Sequence, residues 1–355
     1  VNFDLQDQFA LHQPLSLWAV EAIATLPAAE AEAAAARGEP PGDDIGHALN
    51  VLTIIESVLE NPGVVLAAQT NRAKDELMAE MKAAGVEYEE RIERLAQVEH
   101  PKPNADWIYG NFNEFRSRHP WVGSDTVAPK SVARELYERA MTFGEYVHAY
   151  GLKRSEGVLL RYLSDVYKGL RQNVPEERHT PALDDLSVWL GALVRQVDSS
   201  LIDEWERLLH PESAGTVDEL RPPLPTGDRS IVDDERAFRV MVRNRAFDWV
   251  QRLARRTGYD AIVADAADRD RWRSGEDVVA AMAPYRAEFG DVLDGSAARS
   301  GERFTYDRPS GRVVQILHDP EESNEWRIEA VVDADASRVE DRVVLRLVDI
   351  GRGVP

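Results

Sequence analysis

The sequence predicts a mainly α-helical bundle followed by an α+β domain with a curved antiparallel sheet. Three observations carry that expectation. Apolar residues recur at helical spacing almost continuously from Pro14 to Leu209. Gly215, Pro222, Pro223, Pro225 and Gly227 then interrupt the periodicity and read as an interdomain linker. Beyond Arg303 the period falls towards two, in segments rich in Val and Ile. The boundaries are a helical bundle over residues 1–212, a linker over 213–230 and an α+β domain over 231–355.

Within the bundle, helices are expected over residues 14–26, 43–59, 62–84, 87–98, 104–118, 130–141, 145–150, 155–172 and 181–209. Ile45, Leu49, Leu52, Ile55 and Val58 form the stripe of the second. Pro62 suits a first helical position, where its missing N–H costs no bond, and Gly85 suits a helix stop. The Ala/Glu run from Ala28, ending at Gly38-Glu39-Pro40-Pro41, reads as a low-complexity mobile loop. In the second domain, helices over 233–256, 259–267 and 276–289 precede strands over 303–306, 312–317, 325–332 and 342–349. That order resembles the cone-shaped fold of nuclear-transport-factor-like and polyketide-cyclase-like domains, which hosts enzymes and plain binding modules alike.

Composition narrows the function classes. A hydrophobic fraction of 43% in 355 residues is ample for folded domains. No window approaches the ~18 consecutive apolar residues of a membrane span, and Val1-Asn2-Phe3-Asp4 opens no signal peptide. The absence of cysteine excludes disulfides and thiolate chemistry and fits a cytoplasmic protein. A net charge of −21 argues against a whole-surface nucleic-acid binder. Between Pro120 and Val174, however, eight cations face six carboxylates, a basic island in an acidic chain.

Catalytic motifs are missing. There is no GxxxxGK[ST] loop and no Asp-Glu-x-Asp/His motif, so the chain is not by itself a nucleotide-driven motor. The eight histidines fall in no metal-ligand spacing, no GxSxG elbow occurs, and the adjacent carboxylate pairs read as solvated faces. His318-Asp319 reads as a strand end running into a turn, with Trp326 as core.

The segment 155–172 is the most distinctive. Leu159, Leu163, Val166 and Leu170 make a core stripe, while Arg154, Arg161 and Lys168 repeat every seven residues and Arg171 follows three beyond. One face packs and the other offers donors to phosphate, with Tyr162 and Tyr167 as stacking surfaces for bases. The bland alternative is a solvated helix whose cations pair with Glu156, Asp165 and their neighbours.

Glu156-Gly157, Leu159-Leu160-Arg161 and Leu170-Arg171-Gln172 resemble in spacing the C-terminal helical domain of superkiller-type RNA helicases, departing at Ser164 and Asp165, where that family often carries a basic pair. FALHQPLS (9–16), VLENP (58–62), YERAMTF (137–143), VDSSL (197–201), RAFRVMVRN (236–244) and VDIG (348–351) are similar to a domain of unknown function appended to actinobacterial DEAD/DEAH-box helicases. The resemblance implies an accessory C-terminal module of an ATP-dependent, RNA-directed helicase. ATP and Mg would then belong to separate motor domains and no cofactor to this chain. Its partners would be those motor domains, single-stranded nucleic acid held by Lys153, Arg154, Arg161, Lys168 and Arg171, and a protein bound by the α+β domain. The alternative is a small-molecule binding protein or enzyme using a pocket in the α+β domain; a third reading is an interaction scaffold.

Overall fold

The computed structural model describes residues 13–40, 42–198, 200–202, 205 and 230–353. The chain divides into two compact units, residues 1–214 and 215–355. The expected linker lies outside the described residues except for Ser230.

The first unit is helical: α1 (Gln13–Arg37), α2 (Asp44–Val58), α3 (Gly63–Ala83), α4 (Tyr88–Ala96), α5 (Ala105–Arg118), α6 (Val132–Glu138), α7 (Phe143–Ala149), α8 (Glu156–Asn173) and α9 (Pro181–Val197). The hub is α2, packed against α1, α6, α8 and α9. Its buried residues run all round the helix, Val51, Leu52, Ile54, Ile55 and Val58 among them, as expected of a helix apolar on every face. Gly169 lets α8 approach α2, since a Cβ there would lie 2.8 Å from the Ile55 Cγ2. Gly191 does the same for α9 against Tyr167 of α8.

Local signals explain several ends. The Asp43 carboxylate caps α2 at Gly46 N (2.7 Å). Gly85, at φ 69°, stops α3, with Val86 N bonding back to Met81 O at 3.0 Å. Thr142 and Glu145 form a capping box on α7.

Two expectations are corrected here. The Ala/Glu run is not a loop: α1 continues through Pro27 to Arg37. Ala and Glu are strong helix formers, and Glu30 ties the segment to α2 through His47 Nδ1 and Asn50 Nδ2, both at 2.7 Å. The helix expected over 181–209 breaks at Asp198, whose backbone is extended and whose carboxylate accepts from Ser200 N at 3.0 Å. An aspartate competing for backbone N–H groups ends one helix and caps the next.

The second unit holds α10 (Glu235–Arg255), α11 (Tyr259–Val263), α12 (Gly275–Phe289), β1 (Phe304–Asp307), β2 (Arg312–Ile316), β3 (Trp326–Val332), α13 (Ala334–Glu340) and β4 (Leu345–Arg352). The strands make an antiparallel meander in sequence order, with Thr305 opposite Val314, Val314 opposite Glu329 and Ile328 opposite Ile350. The sheet is not closed. Alternate β3 residues Trp326, Ile328, Ala330 and Val332 are buried, the period-two pattern of a half-buried strand. A bulge at Glu329/Ala330 bends β3. The outer edge of β4 is covered where Ala267 N and Trp272 Nε1 donate to Leu347 O (2.9 Å) and Val348 O (3.0 Å). Helix α13 interrupts the expected run of strands. Asp333 caps it at Ala336 N (2.9 Å), a signal hidden inside an acidic stretch.

Candidate functional site

Helix α8 spends most of its circumference on packing. Leu159, Tyr162, Leu163, Ser164, Val166, Tyr167, Gly169, Leu170 and Asn173 are buried. The solvent-facing remainder carries Arg161 and Arg171, exposed, and Lys168, half-buried; Lys153 and Arg154 are exposed in the turn leading into the helix. The other three cations of the basic island serve the interior. Lys130 is fully buried, Arg134 pairs with Glu138 (2.9 Å) and Arg139 with Glu135 (2.9 Å). Among the described residues, none of the five outward cations is in an ion pair within 4.0 Å. Asp165 lies among them, its carboxyl raised by burial and by Glu60 and drawn down by Lys168 and Arg161.

Two expectations about this helix change. Tyr162 and Tyr167 are not stacking surfaces: both are core residues, 5% and 6% exposed. Tyr162 donates to Glu56 Oε1 at 3.0 Å, and Tyr167 packs edge-on against Trp205. Ser164 is buried as well, so that position has no route to solvent for a charged side chain.

Beneath α8 lies a polar layer that sequence reasoning missed. The Glu56 carboxylate, fully buried, accepts from Ala133 N (2.9 Å), Arg134 N (3.2 Å) and Tyr162 Oη, and so caps the start of α6. Lys130, also fully buried, donates its Nζ to Glu56 O (2.6 Å), Leu59 O (2.9 Å) and Ala128 O (3.0 Å), and so caps the end of α2. Burial pushes the Glu56 carboxyl up to about 7, against the pull of those hydrogen bonds and of Lys130. Burial pushes the Lys130 ammonium down to about 8, with Glu56 opposing.

A second carboxylate, Glu135, accepts from Gln69 Nε2 (2.7 Å), Tyr146 Oη (3.3 Å), Tyr150 Oη and Arg139. Desolvation and this carboxylate hold both tyrosines un-ionised, above their usual range. Every donor here is spent on a protein acceptor. The arrangement clamps helices together. The one local signal is Glu56-Ser57 inside a mostly apolar run, Val51 to Leu59.

In the second unit, Asp319 is buried and accepts from Glu321 N, Ser323 N, Ser323 Oγ and Asn324 N at 3.0–3.2 Å. Burial raises its carboxyl, but these bonds outweigh burial and leave it below the ordinary range. It organises the turn after β2, and Trp326 is core at 4% exposure. Asn244, Gln251, Arg299 and Gln315 are buried in this unit, with Arg299 bonded to Asn244 and stacked over Phe247. A cleft of about 350 Å³ is lined by Asp260, Val263, Ala264, Arg269, Trp272 and Arg273. Among the described residues no group of three metal-ligating side chains comes together, and no helix is long and apolar enough to cross a membrane.

A model for a protein family, described as a domain of unknown function (DUF3516), matches residues 1–350. The chain belongs to that family. The match runs through both units. No curated protein and no solved structure matches the chain.

Proposed function

We propose that this DUF3516 chain is a non-catalytic accessory module of an ATP-dependent nucleic-acid helicase acting on RNA, with the motor domains as its partners. In this reading Arg161, Lys168 and Arg171 on α8, with Lys153 and Arg154 before it, hold the sugar–phosphate backbone of a single strand. Such contacts position a strand without reading its bases. The α+β unit serves as a protein-binding appendage.

The supporting observation is the clustering of cations along one short stretch. Arg161, Lys168 and Arg171 lie on the outer side of α8, with Lys153 and Arg154 just before it, and among the described residues none of the five is within 4.0 Å of a carboxylate. A helix whose remaining circumference is rigidly packed presents such cations as a fixed row, which suits a regularly charged polymer. ATP and Mg are assigned to motor domains, because this sequence contains no phosphate-binding loop.

The test is binding of the full chain to a fluorescent single-stranded oligonucleotide, RNA and DNA in parallel, at about 50 and about 200 mM salt. Arg161→Ala with Lys168→Ala weakens binding about tenfold at the lower salt and less at the higher. Affinity unchanged by the double substitution overturns the reading.

A further inference from the structure

Removal of Tyr162 and Tyr167 into the core leaves the cation row without aromatic surfaces, and the fold supplies one elsewhere. Trp121 is 56% exposed, unusual for the largest apolar side chain. It sits in a 3₁₀ turn, Pro120–Val122, immediately after α5. Val122 points inward and is buried, and the turn is closed by Val122 N to His119 O at 3.1 Å, so the adjacent indole is turned outward. Two rings brace it: His119 at 5.5 Å and, edge-on, the buried Phe115 at 6.4 Å. The exposed ring is therefore held rather than swinging freely, and ordering it on contact costs little entropy.

Its position relative to α8 follows from α1. Trp18 bonds Asn111 at 2.9 Å and stacks edge-on with Phe112, while Glu21 pairs with Arg118 at the last turn of α5. Ser16 bonds Asn173 at the last turn of α8. The ends of α5 and α8 are thus anchored on residues 16–21 of one helix, a length of about 8 Å. The sequence around the indole is polar, with Arg116, Ser117, Arg118, Ser124 and Asp125 flanking it. A protein-docking patch needs contiguous apolar surface, whereas one braced ring among polar groups with cations nearby suits a stacked base.

We propose that Trp121, backed by His119, is a stacking platform for a base of the same single strand whose backbone the α8 cations hold. The proposal rests on the strand-binding reading and adds the residue that contacts a base.

The experiment compares two probes of equal length and charge, a single-stranded oligonucleotide and its abasic counterpart, against the full chain. Trp121→Ala weakens binding of the base-bearing probe about tenfold, leaves the abasic probe unchanged, and Trp121→Phe restores most of the loss. Arg161→Ala with Lys168→Ala weakens both probes. Equal affinity of Trp121→Ala and the natural chain for the base-bearing probe overturns the platform while leaving the cation row standing. Equal weakening of both probes by Trp121→Ala also overturns it. Binding of neither probe by the natural chain overturns both readings, and loss of a polypeptide partner alone in Trp121→Ala makes the site a protein contact instead.

Discussion

The Lys130 ammonium donates to the Glu56 carbonyl at 2.6 Å, while the Glu56 side chain accepts from the backbone three residues beyond Lys130, at Ala133. Each residue therefore caps the helix next to the other: α2 ends on a buried cation and α6 begins on a buried carboxylate. Both charges sit where the helix dipoles favour them. Because Glu56 also receives the Tyr162 hydroxyl, this pair fixes α8, the helix that carries the outward cations.

Breaking the pair one partner at a time leaves a buried charge or several buried carbonyls unmatched. Lys130→Met and Glu56→Ala are each expected to cost about 3–5 kcal/mol. Urea unfolding of the single and double variants checks this. The double variant loses less than the two singles together, with a coupling on the order of 1 kcal/mol or more.

Stability depends on pH through the same two groups. Burial raises Glu56 from 4.5 to about 7, so between those values the folded chain holds a proton the unfolded chain has released. Its contribution falls as pH rises through that window, by up to about 1.4 kcal/mol per pH unit. Lys130 is lowered from 10.5 to about 8, so between those values the unfolded chain holds the extra proton and stability rises with pH. The pair contributes least between about 7 and about 8. Urea midpoints across that range show a minimum in the natural chain, and Glu56→Gln removes its acidic limb.

Tyr162→Phe separates structure from strand contact. Loss of the hydroxyl takes one donor from the buried carboxylate and costs about 1–3 kcal/mol. Because Tyr162 is in the core, oligonucleotide affinity at a temperature where the variant is folded is unchanged. A stable Tyr162→Phe with weakened binding contradicts this placement.

Asp319→Ala removes the acceptor of four hydrogen bonds in the turn after β2 and lowers the stability of the second unit by about 2–3 kcal/mol. In the natural chain the Asp319 carboxyl is held below its usual value. Its contribution is therefore present above that value and lost on acidification. Thermal melts of the variant between neutral and acid pH show a shallower decline than those of the natural chain.

What the sequence revealed and what it hid divide along the range of the interactions. The helix expected over 155–172 is found at Glu156–Asn173, and the strand expected over 325–332 at Trp326–Val332, because their signals are local periodicities. The low complexity of the Ala/Glu run suggests a loop, but Ala and Glu favour helix, and its anchors at His47 and Asn50 lie 17 and 20 residues away. Tyr162 looked like an outward aromatic on a basic helix. Its partner Glu56 is 106 residues distant, and no local pattern announces it. Lys130 adds to the basic island in the sequence for the same reason: its acceptors Glu56 and Leu59 lie over 70 residues away. Arg161 and Lys168 share one side of α8 because a seven-residue repeat on a helix stays on one face, and there Arg161 is exposed and Lys168 half-buried.

The most direct measurement of the central claim is the salt dependence of single-strand affinity for the full chain and for Arg161→Ala/Lys168→Ala/Arg171→Ala. Each backbone contact contributes a slope of about −0.7 in log affinity against log salt. Loss of all three is therefore expected to make the slope shallower by about 2, in parallel for RNA and DNA of mixed sequence. A triple variant with the affinity and slope of the natural chain contradicts the account.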